Sequence, residues 1–147
     1  MTSQFAFLST LVLFTLCASC HCARVDYHVW YTSDPVNGDR TFKQVSFSDV
    51  NVTYFIDIMG EAARGDANYA YSFTQYPFGI YIRGIGGYME NVNENIFWYL
   101  YELQSPPDVN NPPKDNDLAK SAVNDLVVHD GGIYLFWLRP WTDSTKN

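Results

Sequence analysis

The stretch from Tyr69 to Trp141 constrains the fold more than any other part of the chain. It runs YAYSFTQYPFGIYIRGIGGY, then IFWYLYELQ, then a polar stretch, and ends VVHDGGIYLFWLRPW. Aromatic and β-branched residues that alternate with polar ones, punctuated by Gly and Pro, mark strands joined by turns. Tyr69, Tyr71 and Phe73 share a face. After Pro77 and Gly79, Ile80 and Ile82 alternate with Tyr81 and Arg83. The Gly84-Ile85-Gly86-Gly87 segment marks a bulge or a close backbone approach. Ile96 to Leu103 places Trp98, Leu100 and Glu102 on one face, with Phe97, Tyr99, Tyr101 and Leu103 on the other. Ser105 to Asp117 carries four prolines and reads as a surface loop. Leu126–Val128 and Ile133–Leu138, about the Asp130-Gly131 turn, read as a closing hairpin.

The first half supplies a hairpin and a helix. Tyr27, Val29 and Tyr31 keep a period of two. Asn37-Gly38 suits a turn with φ > 0, and Phe42 to Phe47 reads as the return strand. Val52, Phe55, Ile56, Met59, Ala62 and Ala63 then fall at helical spacing. The pattern predicts one amphipathic helix from about Asp49 to Ala63, capped by Ser48 or Asp49, with Gly65 left-handed just past its end. Hairpin, helix, then strands is an α+β order, and antiparallel sheets with one helix across them look β-grasp-like.

Charged residues are only 17% of the chain and aromatics 17%, which favours an ordered domain with a core rich in rings. Phe5 to Ala18 is apolar and is followed by small residues, so residues 1–20 read as a secretory signal peptide cleaved somewhere between 19 and 23. The expected location is extracellular, with no membrane span after cleavage. The domain then occupies residues 24–142, with a polar tail at 143–147. All three cysteines, Cys17, Cys20 and Cys22, lie in or beside the leader, so no disulfide framework is expected. The net charge of −7 disfavours nucleic acid as a partner.

Several motifs read together in order. The helix VNVTYFIDIMGEAARGD is followed by YAYSF, then by Tyr76-Pro77-Phe78-Gly79-Ile80-Tyr81-Ile82 and Gly84-Ile85. After these come Phe97-Trp98-Tyr99 and Asp125-Leu126-Val127-Val128-His129-Asp130-Gly131. This succession resembles the C-terminal cap domain of the transcobalamin and intrinsic factor family of vitamin B12 carriers. The resemblance implies a secreted, non-enzymatic binding domain for cobalamin or another small planar ligand. It implies ligand-facing positions at Phe78, Gly79, Ile80, Tyr81, Phe97 and Trp98, although Ile80 and Trp98 also read as core. The carriers close on cobalamin with a large helical barrel domain that is absent here. A second protein would therefore have to supply the other face for high affinity. The competing expectation is an extracellular-matrix or secretory-fluid protein that keeps the fold without the ligand.

Other motifs carry less. Asn51-Val52-Thr53 is the only N-glycosylation sequon, and it makes a glycoprotein the expectation. Arg64-Gly65-Asp66 is an adhesive tripeptide only if it protrudes. Gly84-x-Gly86 lacks the third glycine of a dinucleotide loop, since Met89 stands there. Asp108–Asp117 fails as a calcium loop at Pro113 and Ala119. No metal site, cofactor or catalytic set is expected, because His28 and His129 form no ligating or triad pattern.

Overall fold

A computed structural model describes residues 23–32 and 42–141. The expected leader with its cysteines, the cleavage zone up to residue 22, the Asn37-Gly38 turn and the polar tail lie outside the described residues.

Two strands, β1 (Ala23–Trp30) and β2 (Phe42–Val50), form the expected antiparallel hairpin. Helix α1 (Phe55–Gly65) follows. A three-stranded unit comes next, built from β3 (Tyr71–Tyr76), β4 (Gly79–Ile85) and the short β5 (Tyr88–Met89). The last strands are β6 (Ile96–Leu103) and β7 (Gly132–Pro140). The large sheet has the order β2-β1-β7-β6, and β3-β4-β5 forms a second sheet. Within the large sheet β1 and β7 are parallel, while its other pairs are antiparallel. A hairpin, a helix and a second strand pair with their first and last strands parallel at the centre give the β-grasp-like α+β arrangement. The β3-β4-β5 unit is inserted after the helix.

Period two sorts the large sheet into two faces. On the inner face, Val25, Tyr27, Val29 and Tyr31 meet Tyr134, Phe136 and Leu138 of β7 and Trp98 of β6. Phe55, Ile58, Met59 and Ala62 of α1 close over this layer, and Ile82 and Ile85 of β4 complete it. Tyr27 sits edge-on to Phe55, with ring centroids 5.2 Å apart. On the outer face, Trp30, Tyr101, Leu135 and Trp137 pack with Val109 and Leu118 from the proline-rich segment. That segment returns along β6, where the Ala119 N–H donates to the Leu100 carbonyl at 2.9 Å. The buried Arg139 also lies on the outer face. Its Nε donates to the Tyr101 hydroxyl at 2.7 Å, and its guanidinium pairs with Asp115 at 2.6 Å.

Three local expectations change. The helix begins at Phe55, not near Asp49. Asp49 takes φ +60 at the end of β2, and Tyr54 is extended in a bridge to Val127. Long-range pairing therefore overrides the helical spacing of Val52. Gly65 is the last helical residue and not left-handed, because the extended Asp66 closes the helix with its N–H on the Ala62 carbonyl at 2.9 Å. Leu126–Val128 forms no hairpin with β7, since Val128 donates instead to the Thr53 carbonyl. The Asp130-Gly131 turn exists, with Gly131 at φ +76, but it docks on β1 through the Arg24 N–H and the Asp130 carboxylate.

Candidate functional site

The site grows from the β3–β4 hairpin. Pro77 and Phe78 make its turn, which suits the fixed φ of proline. Gly79 re-enters the ladder at φ +136, a conformation that side chains rarely adopt. A Cβ on Gly79 would sit 2.8 Å from the Ala122 Cβ and 2.9 Å from the Asn124 carboxamide oxygen. The glycine lets the hairpin rest directly on the 121–124 segment. The same Asn124 oxygen accepts the Ile80 backbone N–H at 2.8 Å.

The far end of β4 turns through Gly86 and Gly87, at φ +59 and +87, and Ile85 pairs with Tyr88 across them. Positive φ at both positions is the two-residue turn that matches strand twist. The register shift between Ser72 and Phe73, opposite Gly84 and Ile82, is the expected bulge. Gly84 is also a close approach, since a Cβ there would meet the Met89 sulfur and the Tyr88 carbonyl.

Where the hairpin crosses β6, Ile80, Tyr81 and Ile82 face Trp98, Leu100 and Phe136, with Ser121, Ala122 and Val123 behind them. They enclose a cleft of about 120 Å³. The Tyr81 hydroxyl donates to Glu90, which pairs with Arg83 at 2.8 Å. Burial, with help from the Glu90 hydrogen bond, pushes the Tyr81 phenol well above its ordinary range, so it stays a neutral donor. Trp98 is 5% exposed, and its indole N–H donates to the Tyr88 carbonyl at 3.1 Å. Its ring stands edge-on to Tyr31 and Phe136, so Trp98 is core with one edge on the cleft.

Phe78 is the contrast, with 76% of its surface exposed. Its ring stacks on Tyr76 with centroids 5.1 Å apart and planes 7° from parallel. The structure thus brings Ile80, Tyr81 and Trp98 together at the cleft, with Gly79 beneath the hairpin and Phe78 at its tip. Phe97 is not with them. It pairs with Arg139 on the opposite face of the sheet from Trp98, as strand alternation requires. Asn124 and the Glu90–Arg83 pair are the site residues that the sequence did not announce. An asparagine in a polar stretch carries no mark of a partner 44 residues away.

The remaining motifs settle into structural roles. Arg64 pairs with Glu61, and the Asp66 carboxylate accepts the Asn68 backbone and side-chain N–H groups. The tripeptide is therefore folded into a helix end, not displayed on a protruding loop. Among the described residues no group of three His, Cys, Asp or Glu side chains is placed to hold a metal ion. None of their helices is long and apolar enough to cross a membrane.

No family model matches the chain. It is 31% identical over 113 residues to the uncharacterized protein CG3556 of Drosophila melanogaster. That match takes in 77% of this chain and 18% of the fly protein. In fold it is similar to haptocorrin, solved in complex with Cbi, with a TM-score of 0.62 and 16% identity. The likeness covers 82% of this chain and 26% of haptocorrin. A protein of Ruminococcus gnavus ATCC 29149, described as a candidate metal-binding protein, gives a TM-score of 0.55 at 13% identity. There the likeness covers 82% of this chain and 99% of the bacterial one. The chain therefore spans a small part of the fly protein and of haptocorrin, yet its fold matches nearly the whole bacterial chain. At the level of fold, the likeness to haptocorrin agrees with the resemblance to the transcobalamin cap.

Proposed function

We propose that this chain is a secreted, non-enzymatic binding domain that takes the edge of a small planar ligand, of the corrinoid class. The Tyr76–Tyr81 hairpin and the cleft beside Trp98 receive it. The observation that carries this reading is the exposed Phe78 ring stacked on Tyr76 at the tip of a hairpin anchored from below. A flat apolar platform beside a cleft suits a flat ligand. The fold shared with haptocorrin, solved with Cbi, favours corrinoids within that class.

The size of the cleft defines what it can hold. Pockets that engulf a ligand measure roughly 300–1,000 Å³. A cleft of about 120 Å³ admits one peripheral group of a macrocycle and leaves the rest against open surface. Tight binding then needs a second protein face, as the resemblance to the two-domain carriers implies.

The test titrates cobinamide and cobalamin into the purified chain and follows tryptophan fluorescence, since Trp98 borders the cleft. Quenching that saturates, and that weakens about 5- to 10-fold in Phe78→Ala, is expected from the loss of roughly 1 kcal/mol of stacking. No response at high micromolar ligand overturns the corrinoid reading for the isolated chain.

A further inference from the structure

Asn51-Val52-Thr53 lies outside the cleft, and its conformation differs from the one its sequence pattern suggested. Within a helix, side chains two residues apart point about 200° from each other, so Asn51 and Thr53 would face opposite ways. The structure places all three residues before the helix, in the connection that leaves β2. Thr53 is tied through its carbonyl to the Val128 N–H at 2.9 Å, and Tyr54 bridges Val127. Asn51 and Thr53 are exposed, while Val52 between them is partly buried against the core. The Thr53 hydroxyl and the Asn51 carboxamide are therefore both on the solvent side of one anchored segment.

We infer that Asn51 carries an N-linked glycan. The donor is an oligosaccharide linked to a polyprenyl pyrophosphate. The Asn51 amide nitrogen attacks the anomeric carbon of the first sugar and forms the C–N bond. The C–O bond to the pyrophosphate breaks, the lipid pyrophosphate leaves with the bonding electrons, and the amide loses one proton. The inference rests on the reading of the chain as secreted. The position has a physical consequence, because Asn51 directly follows β2, an edge strand of the large sheet among the described residues. A glycan at that corner obstructs the approach of another strand to the open edge, a known liability of sheets.

The experiment expresses the full chain in insect cells, once with its own N-terminus and once behind a heterologous secretory leader. Material from the medium is digested with peptide-N-glycosidase F. The expected result is a single downward gel shift, with aspartate found in place of Asn51 by peptide mass spectrometry. The shift persists in Thr53→Ser and is lost in Asn51→Gln and Thr53→Ala. Thermal melts of the last two check that these exposed replacements fold. Secretion behind the heterologous leader with no shift overturns the inference at Asn51. Secretion only behind that leader, with the shift present, supports the site and overturns the reading of the chain's own N-terminus as a leader.

Discussion

The Asn124 carboxamide oxygen accepts the Ile80 backbone N–H at 2.8 Å and so fastens the aromatic hairpin to the body of the domain. Replacement of Asn124 by Leu leaves a partly buried amide without its acceptor. The expected cost is about 1–3 kcal/mol. Hydrogen exchange should show the loss at the Ile80 amide first, with α1 amides changing less. Equal protection of Ile80 in both proteins would mean that the contact anchors nothing.

Gly79 and Gly87 form a matched pair, because both have positive φ but only one is crowded. Gly79→Ala meets Ala122 and Asn124 at under 3 Å, whereas Gly87→Ala has nothing within 4 Å among the described residues. Backbone strain alone costs of order 1–3 kcal/mol, so Gly87→Ala is expected near the low end of that range. Gly79→Ala should exceed it clearly, because a backbone-mounted methyl cannot swing away. Denaturant midpoints at constant m value check the ranking, and equal midpoints would contradict it.

Among the described residues the Tyr27 hydroxyl, buried in the core, has no hydrogen-bond partner, and the rings around it make edge contacts with it. An unpaired buried hydroxyl costs about 1–3 kcal/mol, so Tyr27→Phe is expected to be neutral or stabilising. Tyr31→Phe is the counterpart and should destabilise by about 1 kcal/mol, because Tyr31 donates to the Asn68 carbonyl. A destabilised Tyr27→Phe, measured by thermal or urea unfolding, would show that its hydroxyl is satisfied in solution.

His28 gives the domain an acid sensitivity. Burial lowers its pKa below the ordinary 6.5, with the Asp26 carboxylate opposing that shift. A histidine kept neutral by folding contributes stability above its unfolded pKa. That contribution is lost as the pH falls from there through the lower folded value, since the unfolded chain binds the proton first. The melting temperature should fall between about pH 7 and pH 5, and His28→Gln should flatten that part of the profile. Parallel profiles for the two proteins would remove His28 as the cause.

Much of the fold is legible in the sequence, because strand alternation is a local signal. The faces of β1, β2 and β6 follow from it directly, and it already placed Phe97 and Trp98 on opposite sides. The family resemblance puts both on one ligand surface, against that periodicity. The start of the helix is not legible, since Val52 falls at helical spacing while Thr53 and Tyr54 are held outside the helix by partners past Leu126. The parallel pairing of β1 with β7 leaves no local trace either. At the site, Gly79 was legible as a turn glycine, but its crowding by Ala122 and Asn124 depends on a segment with no periodicity of its own.

The central pairing also sets an order of events. Arg24 is joined to Asp130 across 106 residues of chain, and β1 lies beside β7 from Val25 to Trp30. While the polypeptide is being made, β1 must wait with one side uncovered until the last strand emerges. Structure dominated by such distant contacts forms on the millisecond-to-second scale. A ribosome halted before Gly132 would hold β1 to β6 without the strand that joins β1 to β6, so this domain completes its fold only once synthesis has passed β7.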